Sequence, residues 1–222
     1  MDVQTFDFAE ARNLMVDSQV RPNKVADPRI IAAMREIPRE LFVPPAQRAI
    51  AYIDEDIPIG RGRVLIEPMI IARLVQLLAP AEGDNVLVIA AAPGYGSALL
   101  SACGARVTAL EEDLQLADGM RSVLNQLAPG IGVVTGPLEA GWPPGAPYDA
   151  ILLEGAVEEI PRVLNGQLRA EGARLATVLK PRPWVGQAVV AEPTPVGLRP
   201  YPVFDCGTPL IPSLKRKPGF VF

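Results

Sequence analysis

The stretch "VLVIAAAPGYG", residues 86–96, decides the fold. Val86, Leu87, Val88 and Ile89 form an uncharged branched run, the pattern of a strand buried on both faces. Three alanines, Pro93 and two glycines break the run, and "GSALLSAC", residues 96–103, reads as a helix. A strand, a tight turn and a helix N-terminus are how α/β proteins present backbone N–H groups to a nucleotide-like ligand. Residues 86–103 carry no charge and imitate a membrane span. Pro93, Gly94 and Gly96 interrupt the run and its first half is β-rich, so it reads as a soluble core.

Downstream, the same alternation continues. "RVTALEE" (106–112) is a strand, and "DLQLADGMRSVLNQL" (113–127) an amphipathic helix with Asp113 as cap. "IGVVTG" (131–136) and "YDAILLE" (148–154) are strands. "EIPRVLNGQL" (159–168) is expected as a helix and "ARLATVLK" (173–180) as a strand. This rhythm predicts an α/β fold, a mostly parallel doubly wound sheet with helices on both faces. "GQAVVAE" (186–192) and the proline-rich "LRPYPVFDC" (198–206) finish the sheet as antiparallel strands. Upstream lies an N-terminal helical extension. Phe8, Ala11, Leu14, Met15 and Ser18 recur at helical spacing. Asp27 and Pro28 open a second helix that Pro38 stops, and "PMIIARLVQLL" (68–78) is a third. "AYIDEDIPIGRGRVLIEP" between them reads as loops or short strands. The expected organisation is one compact domain, with 1–80 as helical extension and substrate-side segment and 81–222 as core.

The 222 residues, 49% hydrophobic and 21% charged, are those of an ordinary globular chain. A net charge of −4 argues against nucleic acid or an anionic membrane as partner. The chain has no histidine, which excludes Ser–His and Cys–His nucleophile pairs and any His-ligated metal. The carboxylate clusters "YIDED" and "LEED" lack ligand spacing and read as surface, so no metal is expected. Cys103 and Cys206 read as free thiols, a disulfide being the lesser alternative. The tail "KRKPGF" (215–220) reads as a solvated basic end. "MDVQTFDFAE" is acidic, without the apolar segment of a signal peptide, so the expected location is cytoplasmic.

Four segments follow one another in order: "AMREIPRELFVP", "AYIDEDIPIGRGRVLIEPMIIARLVQLL", "NVLVIAAAPGYGSALL" and "YDAILLEGAVEEIP". With Pro38, Arg39, Phe42, Pro58, Gly60, Gly62, Pro68, Gly94, Tyr95, Glu111, Asp149 and Pro161 in place, the chain resembles the protein-L-isoaspartate O-methyltransferases. The resemblance implies a Rossmann-like methyltransferase fold that uses S-adenosyl-L-methionine to methylate isoaspartyl carboxylates of proteins or peptides, a step in protein repair. That chemistry asks little of side chains. The nucleophile is a carboxylate already ionised at neutral pH. Catalysis rests on holding it in line with the sulfonium methyl, worth as much as ~7–11 kcal/mol.

The family's ligand-facing positions are altered in this chain. Its loop pattern, an acidic residue followed by three alternating glycines, falls on Val88, Ala90, Ala92 and Gly94. The Asp-Gly that meets adenine is Pro137 and Leu138. In "GRVLIEP" the family's two glutamines are Arg63 and Glu67, and its Thr and Ser are Val64 and Ile66. A looser alignment puts Cys206 at a family arginine. Glu111 keeps the strand-end carboxylate that binds ribose hydroxyls, although a solvated helix entry explains it equally well. The resemblance thus assigns cofactor contacts to Ala90, Ala92, Gly94, Tyr95, Glu111 and Leu138, and substrate contacts to Arg63 and Glu67. No catalytic residue is assigned. The expectation is a non-catalytic or strongly impaired homologue acting as a binding or scaffold module; the alternative is a divergent, active carboxyl methyltransferase.

Overall fold

The computed structural model describes residues 7–181 and 186–216. Its centre is a seven-stranded sheet. The strands are β3 (Asn85–Ile89), β4 (Arg106–Glu111), β5 (Gly132–Thr135), β6 (Ala150–Val157), β7 (Arg174–Leu179), β8 (Gly186–Thr194) and β9 (Gly197–Cys206), in the spatial order β5-β4-β3-β6-β7-β8-β9. Strands β3 to β7 pair in parallel; β8 and β9 are antiparallel. The order reverses at β3, which sits between β4 and β6, and ligand clefts of such sheets open at that point. A separate antiparallel hairpin, β1 (Ile57–Gly60) and β2 (Arg63–Leu65), precedes the sheet. The prolines of β9 are tolerated because β9 is an edge strand.

Alternation along β3 sends Val86 and Val88 to one apolar cluster and Leu87 and Ile89 to another. The first cluster takes residues from α1 (Phe8–Met15), α2 (Pro28–Glu36), α3 (Pro68–Leu78), α4 (Tyr95–Ala102) and α5 (Leu114–Leu127). The second is closed by short turns carrying Leu138, Leu164 and Ile211. The expected caps are present: Asp27 accepts from Arg29 N, and Asp113 from Gln115 N and Leu116 N. The helix expected over 159–168 is only a 3₁₀ segment, Arg162–Gln167. Asn165 and Gly166 are weak helix formers. The main chain beyond them is committed to the sheet, where Gln167 O accepts from Tyr148 N and Arg169 N donates to Tyr148 O.

Both cysteines are free thiols, Cys103 buried and Cys206 half-buried. Among the described residues no helix is long and apolar enough to cross a membrane, and no group of His, Cys, Asp or Glu is arranged to hold a metal ion. Of the basic tail only Lys215 and Arg216 are described. Both are exposed, and Arg216 pairs with Glu159. The first six residues lie outside the described set.

Asp113 fixes the start of α5 beside the cleft, so its cap is the local test of this frame. Asp113→Ala should lower stability by about 1 kcal/mol, as loss of an N-cap does; an unchanged urea midpoint would show that the cap is idle.

Candidate functional site

Three elements meet where the sheet order reverses: the turn after β3, the end of β4 and the β1–β2 hairpin. The hairpin turns through Arg61 and Gly62, at φ 55° and 71°. Positive φ at both central residues belongs to tight turns that match the twist of the flanking strands. The next residue, Arg63, is only 7% exposed, and its guanidinium reaches into the cleft. Nη1 donates to Glu111 Oε2 at 2.9 Å, and Nη2 donates to Ala90 O and, at 3.4 Å, to Ala92 O.

Glu111 is fully buried, so the reading of "LEED" as surface fails at this residue. Its Oε1 accepts from Glu112 N at 2.9 Å and Asp113 N at 3.2 Å. Its Oε2 accepts from Arg63 and, at 3.3 Å, from Ala92 N. A carboxylate has about four acceptor sites; here four donors occupy them. A second arginine reinforces the contact from outside, since Arg61 Nε lies 3.4 Å from Asp113 and its Nη2 donates to Gln115. Asp113 therefore serves both as helix cap and as anchor for the hairpin.

The turn itself is tight. Ala90 is buried at φ 58°, a left-handed conformation that favours glycine. Gly94 has φ 106°, and a Cβ there would lie 3.0 Å from Met120. Tyr95 is fully buried, edge-on to Phe42 at 5.3 Å and beneath the guanidinium of Arg39. Leu138 is buried in the second apolar cluster, and Val88 and Ile66 in the first. Of the residues assigned by resemblance, the structure brings together Arg63, Ala90, Ala92 and Glu111.

Glu67 does not compete for Arg63, which pairs with Glu111 instead. Half-buried beside Asp54 and Asp56, its carboxyl is pushed up to about 7, first by burial and then by those charges.

One residue near the cleft was missed in the sequence. Glu154, in β6, is 3% exposed; no side chain bonds either of its oxygens, and the backbone N–H of Gly96 is the donor that faces it. It packs against Gly96, where a Cβ would come within 2.5 Å of Oε2. Burial pushes its carboxyl up to about 8, against the opposing pull of Arg63. The signal was a lone carboxylate inside "AILLEGAV", a strand buried throughout. Gly62, Arg63, Val64, Glu154, Gly155 and 209–211 enclose a cavity of about 10 Å³, room for one water. An apolar groove of about 210 Å³ lies beyond the turn, between Phe42, Ile59, Pro93 and Met120.

Comparison with known proteins agrees with this frame. The family model "Protein-L-isoaspartate(D-aspartate) O-methyltransferase (PCMT)" matches residues 10–183. The chain belongs to the protein-L-isoaspartate O-methyltransferase family. It is 39% identical to the protein-L-isoaspartate O-methyltransferase of Methylorubrum extorquens, across 79% of this chain and 77% of the relative. It is 41% identical to that of Methanoculleus marisnigri, across 77% and 78%. A solved protein-L-isoaspartate O-methyltransferase superposes with a TM-score of 0.78 at 20% identity, over 93% of this chain and 67% of the other. A second, from Plasmodium falciparum and in complex with S-adenosyl-L-homocysteine, gives 0.74 at 15% identity, over 91% and 98%. Both likenesses are of fold.

Two predictions concern the buried charges. Removing one partner of a buried ion pair strands the other, at about 3–5 kcal/mol. Arg63→Gln and Glu111→Gln should each lose that much in urea unfolding, and the double variant should lose about 2 kcal/mol less than their sum. Strict additivity would mean that the two groups do not interact. For Glu154, the folded carboxyl near 8 lies above its ordinary 4.5. The folded state therefore holds the proton more tightly, and stability falls as pH rises from about 4.5 to about 8. Glu154→Gln removes this slope. Its melting temperature relative to wild type should climb between pH 5 and pH 8; a constant offset would place Glu154 in water.

Proposed function

We propose that this member of the family is a non-catalytic or strongly impaired homologue, a methyltransferase fold retained as a binding or scaffold module. The observation that carries the reading is the ion pair of Arg63 with Glu111. A ribose presenting two hydroxyls to Glu111 must first displace a charged partner at 2.9 Å, and charge-assisted bonds are the stronger ones. With Arg63 seated on Glu111, the residues in the described conformation do not fit S-adenosyl-L-methionine. The apolar Val64 and Ile66 support the same reading on the substrate side, because neither offers a hydroxyl to orient a carboxylate.

The second reading, a divergent but active carboxyl methyltransferase taking a protein or peptide substrate, is favoured by Glu111 itself. The carboxylate stands at the end of β4 and opens toward the turn. For that reading Arg63 must leave.

Thermal unfolding with S-adenosylhomocysteine separates the two. A ligand at a hundred times its Kd adds about 2.7 kcal/mol of stability, and in a domain of this size each kcal/mol moves Tm by about 2–4 °C. The proposed reading expects no shift at millimolar S-adenosylhomocysteine and no labelled methyl on an isoaspartyl peptide. A rise of several degrees together with methyl transfer would overturn it.

A further inference from the structure

We propose that the cleft at the ends of β3, β4 and β6 is a guanidinium-binding site, that Arg63 is its resident ligand, and that without Arg63 it takes a free guanidinium group. The ligand class is the guanidino compound, either a small molecule or an arginine side chain on a peptide. The inference rests on the closure reading proposed above and deepens it by naming what the altered cleft recognises.

Every wall that touches the Arg63 guanidinium offers acceptors. Glu111 Oε2 is on one side, and the carbonyls of Ala90 and Ala92 are on another. The nearby donor, Ala92 N, is already turned to Glu111. Beyond lies the carboxyl of Glu154, buried, without a side-chain partner and lining the same small cavity as Arg63. A planar group with several N–H donors spread in a fork matches this spacing; a compact ammonium meets one acceptor at a time. Arg63 also reaches the cleft as a ligand would. It belongs to the two-stranded hairpin, whereas Glu111, Ala90 and Glu154 belong to the seven-stranded sheet and its turn. No hydrogen-bonded ladder joins the two sheets. The contact is thus a receptor and its ligand carried on one chain, with the tether supplying a high local concentration.

The test is chemical complementation of the full-length chain. Arg63→Ala empties the position, and thermal unfolding is followed with methylguanidinium, with N-acetylarginine amide and with methylammonium, each at tens of millimolar. The expected result is a rise of several degrees in Tm with methylguanidinium, none with methylammonium, and loss of the effect when Glu111→Gln is added. A matching rise with the arginine amide points to peptide side chains as the outside source; a rise with methylguanidinium alone points to small guanidino compounds. Arg63→Met, which keeps an aliphatic stem, provides a second variant, probed with the guanidinium ion itself. A variant that is unfolded in buffer and folds with the probe supports the proposal. Equal responses to guanidinium and ammonium probes, or no response in either variant, would overturn it. If S-adenosylhomocysteine stabilises the wild-type chain, the closure reading fails first. If the nucleoside is inert and the guanidinium probes are inert too, only the present inference fails.

Discussion

The contact on which the cleft depends is the buried pair of Arg63 and Glu111. A guanidinium taken out of water loses hydration that only well-placed acceptors restore. The fold supplies them from the end of β4 and from two carbonyls of the turn after β3. Neighbouring features follow from this need. The β1–β2 hairpin must turn tightly enough to aim Arg63 inward, which sets the positive φ of Arg61 and Gly62. Ala92 must present its N–H to Glu111. Arg61 then holds the outer edge of the hairpin against Asp113 and Gln115.

The pair also makes sense of the neighbourhood. The turn keeps a left-handed residue at Ala90 although alanine tolerates that conformation less well than glycine. On the proposed reading, glycine's bare backbone is no longer needed for a cofactor to approach, and the carbonyl of Ala90 has a new partner in Arg63. Glu154 is the unbalanced element. A carboxyl with no side-chain partner, buried beside an occupied arginine, is held closer to its neutral form than a solvent-exposed glutamate. Such groups occur where a site serves something other than stability. Here the Arg63 charge that would best compensate Glu154 is already held by Glu111.

Much of the frame was legible in residues. The alternation of "NVLVIAA" with capped helices fixed the parallel core, and Asp27, Pro28 and Asp113 marked helix starts that the structure confirms. Residues 159–168 were misread as a helix, because their periodicity carries no sign that the following main chain pairs with Tyr148. The site was half visible. Motif comparison brought Arg63, Ala90, Ala92 and Glu111 to attention singly, but local spacing cannot reveal that a residue 48 positions away is the partner of Glu111. "LEED" reads as a solvated cluster because three of its four residues are polar, and only the sheet shows that Glu111 ends β4 with its side chain wholly enclosed. Glu154 gives no local sign of its role, being a single charge inside an otherwise apolar strand.

Crystals of the full-length protein grown with millimolar S-adenosylhomocysteine test the central claim most directly. The account predicts Arg63 still seated on Glu111, with no nucleoside between the β1–β2 hairpin and the turn after β3. Ribose hydroxyls on Glu111, with Arg63 swung out to solvent, would contradict it.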